Sequence, residues 1–321
     1  MKRRMVGAFV LFAALAAAAP ALAQSYPTRP VKVVVPFAAG GPLDLVGRAV
    51  FERLSARLKQ PFVMENRTGA GGNIGTEAAA KAAADGYTLL FVLSGTLTAN
   101  PALYRKLPFN VEKDFRPISL LVGSTQMLVV HPSLPVNTLA EFVAYAKKQP
   151  ITYAHAGPGS GGHLAMEYFR SMAGFETVQV PYRGNAPLVI DLVAGQVKAG
   201  FVSTAGVIQH VRGGKLKGLA ISSTVRSALA PDVPTTAEAG YPDFKLGTYF
   251  VLLAPAGLPD AIAELLEREA RAVLASPDLK EKFRPQDIEI VASNAAEARA
   301  FLRADTALWA KIAKDANLRV D

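Results

Sequence analysis

The chain of 321 residues contains no cysteine. That absence excludes disulfides, thiolate metal sites, a thiol nucleophile and a lipid-modified N-terminal cysteine, and for an exported chain it favours a released protein over a tethered one. Histidine is scarce too. With four in the chain, no H-E-x-x-H spacing and no compact carboxylate cluster, no metal site is expected. No basic cluster interleaves with the aromatics, so nucleic acid is not an expected partner. Beyond the N-terminal region there is no long unbroken hydrophobic run, because Gly and Pro interrupt every later apolar segment; no further membrane span is expected. Low-complexity tracts and solenoid-period repeats are lacking as well.

What is present begins with "MKRRMVGAFVLFAALAAAAPALAQ": Lys2, Arg3 and Arg4, an apolar run to Ala19, then Pro20 and Ala21-Leu22-Ala23. The run is shorter than the roughly 20 residues of a span and ends in small residues, so 1–23 reads as a secretory signal peptide cleaved after Ala23. The mature chain is then expected in the periplasm. The formal charge is +9. Losing the three basic residues of the leader leaves about +6, spread along the sequence as a field that attracts anions.

The remaining residues alternate strand-like and helical stretches: "VKVVVPF" then "LVGRAVFERLSARLK", "PFVMEN" then "GTEAAAKAAA", "ITYAHAG" then "HLAMEYFRSMAG", "VQVPYRG" then "APLVIDLVAG". This βαβ rhythm predicts an α/β fold of mostly parallel sheets flanked by helices, and the length suits two domains. In such sheets ligands bind where strands lead into helices. Four loops have that placement: 36–44 ("PFAAGGPLD"), 68–75 ("TGAGGNIG"), 94–100 ("SGTLTAN") and 156–163 ("AGPGSGGH"). A glycine loop opening a helix presents free N–H groups at the positive end of the helix dipole, which suits a phosphate or a carboxylate. Passages between domains are expected near 121–127 and 245–249. The C-terminal part reads as two amphipathic helices around "IEIVAS", packing back on the first domain with Trp309 in the core.

Gly157, Gly159 and Gly162 spell G-x-G-x-x-G, but Glu176 stands at the start of the next strand instead of its far end, so no nucleotide cofactor is expected. Ser160 with His163 suggests an exported serine hydrolase. Against it, Pro158 stands where a nucleophile elbow needs glycine, and no acid lies near enough to orient the histidine. The competing reading is a binding-loop serine beside a first-turn histidine. His131 and His210 read as structural.

Taken in order, "YPTRPVKVVVPFAAGGPLD", "ENRTGAGGNIGTEAAAKAAADGYTLLF", "NPALYRKLPF", "KDFRPISLL", "GSGGHLAMEYFRSMAG", "VPYRGNAPLVIDLVAGQV" and "PDVPTTAEAGYPDF" resemble the extracytoplasmic solute receptors of tripartite tricarboxylate transporters, the Bug family. The resemblance covers nearly all the mature chain. It implies a two-domain type II periplasmic-binding-protein fold with the ligand cleft between domains: 24–125 with 247–321 as domain 1, and 126–246 as domain 2. It implies that the loop of Phe37, Ala38, Ala39, Gly40 and Gly41, with Asp44, and the loop of Ala156, Gly157, Gly159, Ser160 and Gly161, with His163, bind one carboxylate. The far end of the ligand is expected at Arg183 and Gly184, at Val202, Ser203 and Thr204, and at Ser94, Thr96 and Thr98.

Three departures from the family bear on specificity. Val202 stands where many members carry an aspartate able to pair with an amine, which points away from an amino-acid ligand. Pro158 and Gly161 replace frequent asparagine and threonine, and Tyr249 a frequent tryptophan. The expectation is a monomeric periplasmic receptor, without cofactor or catalysis, that hands a small mono- or dicarboxylate to membrane transporter subunits or a sensor. An exported hydrolase using Ser160 and a structural interaction protein are the alternatives.

Overall fold

The computed structural model describes residues 26–223, 225–244, 246–315 and 318–319. The expected signal peptide and its cleavage point after Ala23 lie outside the described residues. The chain forms β1 (Val31–Val35), α1 (Pro42–Leu58), β2 (Phe62–Asn66), α2 (Asn73–Ala80), β3 (Thr88–Leu93), the short α3 (Ser94–Thr98), α4 (Asn100–Leu103) and α5 (Val111–Asp114), then β4 (Phe115–Ser124) and β5 (Gln126–Val130). It continues with α6 (Leu139–Ala146), β6 (Ile151–His155), α7 (Gly161–Ala173), β7 (Thr177–Pro181), α8 (Asn185–Val193), β8 (Ala199–Ser203), α9 (Thr204–Arg212) and β9 (Lys217–Ile221). The last elements are β10 (Thr248–Pro255), α10 (Asp260–Leu274), α11 (Pro277–Phe283), β11 (Ile288–Ile290) and α12 (Ala295–Asp315).

Local sequence explains the pieces that frame the loops. In β1 the valines at 31, 33, 34 and 35 are buried and Lys32 alone is exposed, because the strand is covered on both faces. Helix α1 starts at Pro42, whose fixed φ suits a first turn, and leaves the helix at Lys59, which is left-handed with φ 55. Its Leu43, Val46, Val50 and Leu54 recur on one face and pack into the core of the first sheet. Truncating a wholly buried member such as Leu54 to Ala removes about 2–5 kcal/mol.

Two sheets result, ordered β11-β4-β10-β3-β1-β2 and β7-β6-β8-β5-β9. Both are mixed. Strand β1 is parallel to β2 and β3, and β6 is parallel to β7 and β8. Strand β10 is antiparallel to β3 and β4, β11 is antiparallel to β4, and β5 is antiparallel to β8 and β9. The parallel character expected from the βαβ rhythm is thus confined to strands joined by helical crossovers. The strands that carry the chain from one sheet to the other enter against their neighbours' direction. The first passage takes a single residue, Thr125, between β4 and β5, and the chain returns between β9 and β10.

Helix α12 departs from the expectation of packing on the first half alone. At about 1.5 Å per residue its 21 residues reach about 31 Å. Its Ala298 and Leu302 join the core of the first sheet, while Trp309, Ile312 and Ala313 join Phe169 and Phe201 in the core of the second. Among the described residues, no helix is long and apolar enough to cross a membrane.

Candidate functional site

The loop after β1 is held by the side chain that follows it. Asp44, in the first turn of α1, is 2% exposed. Its Oδ2 accepts the Gly40 N–H at 3.0 Å and Arg48 Nε at 2.8 Å. Its Oδ1 accepts Arg48 Nη2 at 3.2 Å and Asn66 Nδ2 at 3.2 Å, and the same Asn66 amide reaches the Phe37 carbonyl at 2.8 Å. Burial alone raises the Asp44 carboxyl, but the hydrogen bonds from Arg48, the Gly40 N–H and Asn66 outweigh it and hold the group below its ordinary value. The positive end of α1 is therefore occupied by the chain's own anion. Phe37 and Gly41 are half-buried, and Ala38, Ala39 and Gly40 are exposed.

The loop after β6 is held by two histidines. His155 Nδ1 accepts the Gly157 N–H and His163 Nδ1 accepts the Gly159 N–H, each at 3.2 Å. The two rings lie 4.5 Å apart and are almost wholly buried. Burial, then the neighbouring His155 and Arg170, pushes His163 down to about 3, and burial also lowers His155. Both rings are thus neutral at physiological pH, and an accepting Nδ1 places the proton on Nε2. Gly157 and Gly159 have φ of 112 and 73, in the region where a side chain is strained. Ser160 caps α7 by accepting the His163 N–H at 3.4 Å.

Helix α7 differs from α1 in having no acid in its first turn. Among the described residues the N–H groups of Gly161 and Gly162 find no acceptor. Helices α8 and α9, which start at the ends of β7 and β8, also lack a first-turn acid. The carboxyl-end side of the second sheet therefore gathers the positive ends of three helices that carry no acid in their own first turns.

The first-sheet half meets this loop directly. A Cβ on Gly159 would stand 2.9 Å from Asn100 Oδ1, and one on Gly95 would stand 3.0 Å from the Gly159 carbonyl oxygen. A Cβ on Gly71 would lie 3.4 Å from the Pro158 carbonyl, which brings the 68–75 loop to the same junction. A cavity of about 10 Å³ remains between the halves, lined by Ser94, Gly95, Gly159, Gly161, Thr248 and Asp305. Burial raises the Asp305 carboxyl, whose Oδ2 accepts Thr98 Oγ1 at 2.6 Å. A hollow of about 670 Å³ on the outer face, beside Glu264, Arg268, Arg271 and Lys280, includes none of these loop residues.

The other residues expected from the sequence fall into three groups. Ser94, Thr96 and Thr98 are buried and turned to the protein's own groups: Ser94 Oγ accepts the Tyr249 N–H, Thr96 Oγ1 donates to the Gly71 carbonyl, and Thr98 holds Asp305. Val202 is wholly buried: strand alternation sends Phe201 to one face of the sheet and Val202 to the other, under α8 and α9, with 0% exposure. Ser203 is half-buried, and Thr204 lies 2.8 Å from Thr125 across the passage between sheets. Arg183 is exposed beside Gly184, with no ion pair among the described residues. Ala156 is half-buried at the start of its loop.

The serine hydrolase reading finds no support. Ser160 is spent on the helix cap, the nitrogen of His163 that faces the loop accepts an N–H, and Glu167, the buried acid nearby, takes Tyr153 and Arg170. Sequence reasoning included Asn100 only as the end of the 94–100 loop and missed Asp305 and the bracing role of His155. Asn100 opens the quoted "NPALY" stretch, but nothing local marks its side chain as facing the second half.

The family model described as tripartite tricarboxylate transporter family receptor matches residues 46–318. The Bordetella pertussis protein BugT is 36% identical over 319 residues, covering 98% of this chain and 97% of BugT. Among solved structures, R. palustris Rpa4515 with adipate superposes with a TM-score of 0.83 at 34% identity, covering 92% of this chain and 100% of that one. The periplasmic binding protein BugD gives a TM-score of 0.81 at 34% identity, with the same coverage, 92% and 100%.

Proposed function

The chain belongs to the family of tripartite tricarboxylate transporter receptors, and on that premise we propose that it captures a small organic carboxylate between two domains, 24–125 with 247–321 and 126–246. The family is one of solute-binding proteins of the periplasm, with an α/β fold. The ligand carboxylate seats on the Gly161 and Gly162 N–H groups at the start of α7, and the mature chain, cleaved after Ala23, does no chemistry on it. It acts as a monomer in the periplasm and passes its guest to membrane subunits or a sensor.

The observation that carries this reading is the unfilled end of α7. Its neighbour α1 starts from an equivalent loop but satisfies itself with Asp44, whereas α7 has free donors, no first-turn acid and two buried neutral histidines bracing its loop. A structure that braces such a loop and leaves its donors open is preorganised for an external anion. Rpa4515, whose solved structure contains adipate, makes dicarboxylates the first probes. Calorimetric titration of the mature protein with adipate and other short carboxylates should give saturable one-site binding, and no heat with matched amines or sugars. Turnover of an ester, lost in Ser160→Ala, would overturn the reading.

A further inference from the structure

We infer that Asp305 takes up a proton when the two halves close on the carboxylate and gives it back when they part, so that the chain binds its guest together with a proton. This rests on the reading that the carboxylate seats at the start of α7.

The hydrogen bonds around Asp305 count out for the neutral acid. Thr98 Oγ1 lies 2.6 Å from Asp305 Oδ2 and 3.0 Å from the Ser94 carbonyl oxygen, yet a hydroxyl has one proton to give. A carboxylate and a carbonyl would compete for it. With a proton on Oδ2 both contacts are bonds, because Asp305 donates to Thr98 and Thr98 donates to Ser94.

Among the described residues no cation faces this carboxyl. Helices α3 and α4 carry no titratable side chain. From β10 comes Tyr249, whose phenol is pushed up by burial and by the acids Glu289 and Asp305 and stays neutral. On α7, His163 is neutral and turned to the Gly159 N–H, Glu167 and Arg170 hold each other, and Tyr168 donates to the Asp243 carbonyl. Arg116 of β4 is taken by Asp260 and the Leu258 carbonyl. On α12 itself Arg303 pairs with Glu112, while Arg299, Lys311 and Lys314 are exposed. Burial therefore raises the carboxyl against a smaller pull from Thr98.

The place of Asp305 ties this proton to closure. It lines the cavity at the junction together with Gly159, Gly161 and Leu164 of the second half. At about 10 Å³ that cavity has room for no more than a water, so a carboxylate enters only when the halves part. Parting lifts those three residues away and lets water reach Asp305, which returns it toward an ordinary value. Closing on a ligand raises it twice, by removing water and by bringing a second negative charge to the Gly161 end of the same cavity. An ionised Asp305 would also compete for the positive end of α7, which the proton leaves to the guest. The closed value lies above the open one, so affinity falls as pH rises from the open value to the closed value and is level beyond them.

Calorimetric titration of the mature protein with adipate at pH 5, 6 and 7, in buffers of different ionisation enthalpy, counts the protons. Wild type should take up as much as about one proton more per adipate than Asp305→Asn, and its affinity should fall relative to that variant by up to about tenfold per pH unit. The asparagine amide donates to Thr98 Oγ1 as the acid does, so the variant should fold and bind at every pH. Adipate's own protons cancel in the difference. If the variant fails to fold, the carbon-13 resonance of the Asp305 carboxyl reads the same linkage, and it should titrate at a higher pH with adipate than without. Equal proton uptake by the two proteins, or a carboxyl that titrates at the same pH with and without adipate, would overturn the linkage while leaving the carboxylate site standing. Failure of every short carboxylate to bind would overturn the site itself, and this proposal with it.

Discussion

Asp44 Oδ2 accepts the Gly40 N–H at 3.0 Å, so the loop that leads into α1 is closed by an anion of its own. Asp44→Ala should cost about 1–3 kcal/mol of unfolding free energy, because Gly40, Asn66 and Arg48 lose their acceptor together. The carboxyl is held below its ordinary value in the folded state, so its contribution is complete above the unfolded value and is lost as pH falls through the folded one. Urea titrations of the two proteins at neutral pH check this, and equal midpoints would contradict it.

His163 adds an acid sensitivity of the same sign in a higher pH window. Its folded value is pushed down to about 3 from an ordinary 6.5, so between those values the unfolded chain binds a proton that the folded chain refuses. Stability from this residue is therefore flat above about pH 7 and falls by about 1.4 kcal/mol per pH unit below about 6.5. His163→Asn, which keeps an acceptor for the Gly159 N–H, should flatten that slope between pH 6 and 4, a window set by these values. An unchanged slope in the variant would show that other groups dominate.

Ser160→Ala removes the cap that accepts the His163 N–H. The expected loss is about 1 kcal/mol of stability together with weaker carboxylate binding. Thermal unfolding with and without adipate separates the two effects. A variant that binds as tightly as wild type would place the carboxylate away from α7.

Arg183 is exposed and without an ion pair among the described residues. Arg183→Ala should slow association of a dicarboxylate at low salt and change its affinity by less than about 1 kcal/mol. Stopped-flow rates at two salt concentrations measure this. A loss of about 2–5 kcal/mol, confined to dicarboxylates, would put the guanidinium on the second carboxylate.

The alternation of strand and helix was legible because each segment carries its own period: β1 with its valines, α1 with Pro42 at its start and apolar residues on one face. The loops that open α1 and α7 were legible for the same reason, as glycine runs between a strand and a helix. Their difference was not. Asp44 and His163 lie four residues beyond the glycines they hold, and no local signal shows which N–H groups are taken internally and which stay free. Burial of Thr98 against Asp305 joins residues 207 positions apart, and the facing of Asn100 and Gly159 is likewise long-range, so both emerge only when the two sheets are assembled. The burial of Val202 under α8 and α9 was not legible either, because its place at a strand end does not say which face of the strand is covered.

The seat of the carboxylate is tested most directly by following the backbone amide signals of Gly161 and Gly162 during titration of the mature protein with adipate or the tightest-binding acid of the panel. Both should move downfield and saturate with the same dissociation constant as the calorimetric isotherm, more than the Gly40 amide, which Asp44 already occupies. Saturable binding that leaves the Gly161 and Gly162 amides unmoved would contradict the assignment of α7 as the carboxylate site.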